Sequence, residues 1–248
     1  MLIKDYYDMS YIETIGTQIK ALYPDFPLEA FIADMQEALG DQSYSTKMTI
    51  IAKSLHRHLP GYVESLPILT AMLGEKLTSM KEMYEQGKPY APFGKYIECY
   101  ASQHEEAFAE TIAYIYELTQ RYTGEFAMRP LLDAFPDQTV AVLQTWVTSE
   151  SDFVRRLCSE CMRVRLPWAK TLTFALENFD SYCAILLQLA NDPNAYVRRS
   201  VANNLNDLYK VDRNKAASLK SQLENLQSPQ ADAIIKHGTR WARKQGLL

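Results

Sequence analysis

SESDFVRRLCSECM (149–162) and DPNAYVRRSVANNL (192–205) align without a gap, which lays Val154-Arg155-Arg156 over Val197-Arg198-Arg199. The two stretches begin 43 residues apart. Self-similarity at a period near 40 residues, with room for two helices in each period, marks a chain of stacked helical repeats. A further, more decayed copy is IIKHGTRWARKQ (234–245).

The surrounding sequence agrees with that reading. In EEAFAETIAYIYELT (105–119) the apolar residues Phe108, Ile112, Ile115, Tyr116 and Leu118 follow helical spacing with one buried face. Residues 28–39, 46–59, 138–147, 153–162, 181–189, 195–208 and 231–244 behave alike, and no alternating strand pattern competes. Most of the 11 prolines fall between these runs or in a first turn, where a missing N–H costs least. Ser151-Asp152 and Asp192-Pro193 stand where side-chain acceptors cap helix N-termini. The expected fold is all-α: a HEAT-like α-α superhelix forming one domain over 1–248, its second helices lining a concave groove.

Composition narrows the field. Only 9 of 248 residues are glycine, about half the usual share, which disfavours all-β and nucleotide-binding α/β folds. A hydrophobic share of 47% with 23% charged residues suits a chain with a sizeable core and excludes disorder. No apolar run reaches the roughly 18 residues of a membrane span, and acidic residues interrupt MLIKDYYDMS where a signal peptide would be apolar. A cytoplasmic protein with no membrane partner is expected. The net charge of −4 hides an asymmetry: residues 1–124 hold 10 basic and 17 acidic side chains, residues 125–248 hold 16 and 13. An anionic partner should meet the second half.

Motifs of the common cofactor enzymes are missing: no phosphate loop, dinucleotide fingerprint, HExxH or GxSxG occurs. Cys158 and Cys161 have the spacing of a metal pair but lie in an expected helix without a knuckle glycine, so small core thiols compete with zinc or redox use. His56-Arg57-His58 at a helix end suits the C-terminal dipole. No metal or cofactor is expected. The dense region is 121–170, where Arg121, Arg129, Arg155, Arg156, Arg163, Arg165 and Lys170 surround Glu125, Glu160, Trp146 and Trp168. Arginine in excess over lysine suits bidentate phosphate binding, and it equally suits a structural ion-pair network with the nearby carboxylates.

RYTGEFAMRPLL (121–132), FVRRLCSECMRVRLPWA (153–169) and YVRRSVANNLNDL (196–208) resemble the AlkC branch of the DNA alkylation repair glycosylases, the HEAT-repeat family that also contains AlkD. The likeness extends through YPDFPLEAFIADMQEAL (23–39), IIAKSLHRHLP (50–60) and IAYIYELTQRYTGEF (112–126). It implies a monofunctional glycosylase that removes cationic alkylated purines, notably 3-methyladenine, from double-stranded DNA in base excision repair, without full base flipping. A monomer working at the nucleoid of a bacterial-type cytoplasm goes with it. The family's S-E-G-[ST]-R-P-R-L-P-W becomes Ser159-Glu160-Cys161-Met162-Arg163-Val164-Arg165-Leu166-Pro167-Trp168. Cys161 and Met162 are thereby expected beside the site, narrowing the groove or shifting lesion preference. The immunoglobulin-like C-terminal domain of some AlkC proteins is expected to be missing.

On that resemblance Glu125 and Glu160 are the catalytic pair and Trp168 the lesion contact, with an anchoring role in the core as the competing use of Trp168. DNA contacts are expected from Arg156, Arg163, Arg165, Arg199, Asn203, Lys236 and Arg240, although any arginine of a VRR triplet could instead brace neighbouring repeats. A cationic base leaves readily, so the work left is to stabilise an oxocarbenium-like sugar and place water at C1′, which carboxylates can do. The alternative is a catalytically inactive HEAT scaffold binding DNA or protein through the same residues.

Overall fold

The periodic runs become helices whose ends shift by a few residues. A computed structural model describes residues 2–248. Among them the α-helices are α1 (Met9–Leu22), α2 (Leu28–Ala38), α3 (Tyr44–His58), α4 (Tyr62–Ala71), α5 (Met80–Gln86), α6 (Ala91–Tyr100), α7 (Phe108–Leu118) and α8 (Glu125–Ala134), followed by α9 (Pro136–Trp146), α10 (Asp152–Glu160), α11 (Phe174–Glu177), α12 (Phe179–Leu189), α13 (Ala195–Tyr209), α14 (Arg213–Glu224), α15 (Pro229–Gly238) and α16 (Arg240–Lys244). Short 3-10 turns fill several joints and no strand occurs among the described residues, so the fold is all-α.

Side-chain caps explain several helix starts. Asp8, Ser43, Ser79, Asp212 and Ser228 each accept a backbone N–H of the first turn of α1, α3, α5, α14 and α15. Two expected caps are used differently. Ser151 precedes α10 without a side-chain cap, and α13 is capped by Asn194. Asp192 instead receives Arg155, and Asp152 receives the Asn194 amide. Asp192 also accepts the Asn194 N–H at 2.7 Å, so its cation partner joins a local turn ahead of the helix.

The run read as continuous over 231–244 is broken at Thr239. Gly238 lies so close to α13 that a Cβ there would sit 2.9 Å from Leu205 Cβ and 3.0 Å from the Ala202 carbonyl oxygen. Beyond it the chain turns, and Arg240 and Arg243 donate to the carbonyls of His237 and Lys236 that the ending helix leaves open.

The chain forms two compact units, one ending at Pro130 and one from Leu131 to Leu248. In the first, α1 packs on α2, α2 on α3, α3 on α6 and α4 on α7. Its core includes Ile12, Phe26, Phe31, Ile51, Tyr96 and Ile115. In the second, α10, α13 and α15 lie side by side as one layer while α9, α12 and α14 form the layer behind. Leu157, Ile185, Leu186, Val201, Leu205 and Leu219 fill the space between the layers.

The repeat has a structural meaning. Arg155 reaches back to the carbonyls of Ser149 and Glu150 at 2.7 and 2.9 Å. Arg198, its counterpart, reaches the carbonyls of Asp192 and Pro193, which are the aligned positions. The first arginine of each triplet thus closes the turn before its own helix. Arg155 adds an ion pair to Asp192, 2.6 Å away.

Candidate active site

α10 is apolar on one side, where Val154, Leu157 and Cys158 are buried, and this orientation fixes where its charged residues go. Glu160, one turn after Arg156, is only 5% exposed. Its Oε1 accepts from Arg163 Nη1 at 2.8 Å and lies 3.5 Å from Arg156 Nη2. Its Oε2 accepts from Ser200 Oγ at 2.6 Å. Burial pushes the Glu160 carboxyl up, but the Arg156 and Arg163 charges, with the bonds from Ser200 and Arg163, hold it below the usual carboxylate range. It is an anion at neutral pH.

The carboxylate sits in a wider polar lattice. Arg163 Nε donates to Asp207 Oδ2 at 2.9 Å, and Lys210 lies 3.7 Å from the other oxygen of Asp207. Burial lowers the Arg163 pKa and the Glu160 and Asp207 charges more than restore it. Ser159 Oγ donates to Ser200 Oγ at 2.7 Å; the Asn204 amide donates to the Ser159 carbonyl at 2.9 Å, and Tyr182 OH donates to Asn204 Oδ1 at 3.1 Å. Ser200, Asn204 and Asp207 were not anticipated from sequence. Their spacing of four and three residues on α13 is a polar stripe at core positions, a signal that could have found them.

The expected phosphate ligands divide into two groups. Arg163 is buried by its two carboxylates and braces Glu160, instead of facing outward as expected. Arg156 lies against the same carboxylate. Arg165, Arg199, Lys236 and Arg240 are exposed. Arg240 Nη2 donates to Asn203 Oδ1 at 3.1 Å, so Asn203 and Arg240 come together. His237, close to Arg199 and Arg240, is held below the ordinary imidazole value by burial and by those two charges.

Trp168 stands apart from every other large apolar side chain. It is 98% exposed, which excludes the anchoring role, and its φ is +63°, a left-handed conformation that bulky residues seldom adopt. Val164, Leu166 and Leu172 pin the loop around it, with Leu172 N donating to the Val164 carbonyl at 3.2 Å. The tip is therefore presented by buried neighbours on both sides. Cys161 and Met162, expected beside the site, are 0% exposed. Both point into the core, so they cannot narrow a groove; α10 ends at Glu160 and the chain turns inward there. Burial pushes the Cys158 thiol up, in keeping with an inert core cysteine.

Glu125 belongs to the first unit. It opens α8 and is 5% exposed. Tyr122, three residues earlier, bonds Tyr44 OH to OH at 2.9 Å, which ties the approach to α8 to α3.

The family profile described as DNA alkylation repair enzyme matches residues 101–244, and the chain belongs to that family. The uncharacterized protein YhaZ of Bacillus subtilis (strain 168) is 33% identical over 248 residues, 98% of this chain and 65% of that protein. The solved structure of Pseudomonas fluorescens alkylpurine DNA glycosylase AlkC, bound to DNA containing an abasic site analog, is 28% identical with a TM-score of 0.83. It is matched over 100% of this chain and 66% of its own. The chain thus spans about two thirds of the length of both relatives. No helix among the described residues is long and apolar enough to cross a membrane.

Proposed function

We propose that the chain releases cationic alkylated bases such as 3-methyladenine from duplex DNA by hydrolysing the N-glycosidic bond, as a monomer and without a cofactor. The observation that carries this reading is Glu160, kept ionised in a cradle of Arg156, Arg163 and Ser200 on the helix that leads to the exposed Trp168. Membership of the repair family and likeness to a DNA-bound alkylpurine glycosylase support it.

Alkylation at a ring nitrogen makes the purine a cation, so the N–C1′ bond breaks with its electron pair returning to a base that leaves neutral. Positive charge then develops on the deoxyribose. Glu160, already an anion and fixed in place, offsets that charge in part, since Arg156 and Arg163 take up some of its field. Glu125 orients the water whose oxygen bonds to C1′ and accepts the proton that water gives up. The products are the free base and an abasic site. Trp168 lays its ring against the lesion or its sugar, a contact worth about 1–2 kcal/mol when desolvated. The duplex is held from outside, so the base need not swing fully out of the stack.

Glu125→Gln and Glu160→Gln should each slow release of 3-methyladenine from methylated duplex by about 100-fold or more. Undiminished release in both variants overturns the assigned roles. Salt-sensitive binding with no release in the wild type supports an inactive scaffold instead.

A further inference from the structure

The two oxygens of Glu160 are held by different chemistry. Oε1 meets the arginines, Arg163 Nη1 at 2.8 Å and Arg156 Nη2 at 3.5 Å, and both take up part of its charge. Oε2 meets Ser200 Oγ of α13 at 2.6 Å, a neutral donor that fixes the oxygen without cancelling its field. The proton in that bond has one source. An ionised carboxylate carries none, so Ser200 donates, and the 2.7 Å contact between Ser159 and Ser200 is then donated by Ser159. Asn204 ties the pair together: its amide donates to the Ser159 carbonyl at 2.9 Å and the Ser200 carbonyl at 3.0 Å, while its own oxygen accepts from Tyr182. Ser159, Ser200 and Asn204 are all buried, so bulk water does not compete for these bonds.

We propose that Oε2 is the oxygen of Glu160 that acts on the deoxyribose, and that Ser200 is the residue that positions it. This rests on the base-releasing function proposed above and divides its carboxylate into a braced oxygen and a reacting one. The Ser200 bond uses one of the two lone pairs of Oε2 and leaves the other for the sugar or the attacking water. Oε1, shared between two guanidiniums, has the weaker field to offer a developing cation. Ser200 touches neither base nor sugar in this scheme, and its effect passes through Glu160.

Replacing Ser200 removes one of the bonds that hold the Glu160 carboxyl low and leaves the surrounding charges in place. Those charges are Arg156 and Arg163, Asp207 and Lys210 behind Arg163, and Arg240, which feels both Asp207 and Arg163. Tyr182, the titratable group on α12, is kept neutral by burial. Single-turnover release of 3-methyladenine from methylated duplex, corrected for spontaneous loss, should be about tenfold slower in Ser200→Ala at pH 7, with affinity for unmodified duplex unchanged. The midpoint of its acid limb should rise by about one pH unit, because burial then favours the protonated acid. Ser200→Thr and Ser200→Val add similar bulk at the buried position, and only the first keeps the hydroxyl. The midpoint of Ser200→Thr should therefore stay with the wild type and that of Ser200→Val should move with Ser200→Ala, melting temperatures confirming that each variant folds. Coincident acid limbs for Ser200→Thr and Ser200→Val, or the wild-type rate and midpoint in Ser200→Ala, overturn the inference. Either result with base release by the wild type leaves the glycosylase standing, whereas no release by the wild type overturns that function and this inference with it.

Discussion

α10 and α13 carry the same Val-Arg-Arg signature, and the first arginine closes the same turn in both, yet the position four residues after the second arginine is a carboxylate that Arg156 meets in α10 and an amide that takes Arg240 in α13. The shared contact belongs to the repeat: it ties a turn to its helix and recurs wherever the turn recurs. The differing contact belongs to the site. In α10 the charge is compensated internally and buried, which fixes an ionised carboxylate in place. In α13 the aligned amide brings no charge to Arg240, which feels the Asp207 carboxylate as well as Arg163 and Arg199, in the half of the chain where basic residues outnumber acidic ones. A repeat protein can thus hold its scaffold constant and change function at one residue per copy.

The largest effects should follow loss of the two arginines that close these turns. Arg155→Ala leaves the buried Asp192 without its ion pair and two carbonyls without a donor, at about 3–5 kcal/mol. Arg198→Ala removes only bonds to carbonyls and should cost about 1–3 kcal/mol. Urea denaturation midpoints measure both, and equal costs would mean that the Asp192 pair adds nothing.

Gly238→Ala comes next. The added methyl would press on Leu205 and the Ala202 carbonyl where α15 meets α13, and overpacking of this kind costs about 1–3 kcal/mol. A melting temperature unchanged from wild type would show that the two helices can part without penalty.

A smaller effect is expected from acid. The Glu160 carboxyl lies below its ordinary value of 4.5 in the folded chain, so its contribution to stability is present above that pH and is lost as pH falls through the depressed value. Glu160→Gln should therefore lose stability less steeply than wild type below pH 4.5. Parallel acid limbs would contradict an anion held by Arg156 and Arg163.

The smallest change in stability should come from Trp168→Gly. The side chain is fully exposed and its backbone is left-handed, so glycine relieves strain while losing no packing. Stability should stay within about 1 kcal/mol of wild type, on the favourable side, while base release falls. A clear destabilisation would place the ring in a packing role.

What was legible in the sequence follows the range of the interactions. Helix positions and the 43-residue repeat depend on near neighbours, and they appear where the spacing puts them, with α13 beginning at Ala195 as expected. The break at Thr239 was missed because it depends on how close α15 comes to α13, which spacing along one helix does not encode. The partners of the arginines were out of reach for the same reason. Arg163 was expected at phosphate, but Asp207 approaches it from 44 residues away and turns it inward. Cys161 and Met162 are expected beside the site because they replace small residues of the family motif; α10 ends at Glu160, and the turn that follows leaves both in the core. Trp168 had two readings in sequence because an aromatic residue after proline packs or protrudes according to its backbone angle, which only the folded loop decides.

If the ionised Glu160 belongs to a base-releasing site, its loss must slow release. Single-turnover release of 3-methyladenine from methylated duplex DNA, with protein in excess, measures this directly for wild type and Glu160→Gln at pH 7. The wild type should yield free base and an abasic site, and the folded variant should release base more slowly by about 100-fold or more. No release by the wild type, or equal rates for the two proteins, would contradict it.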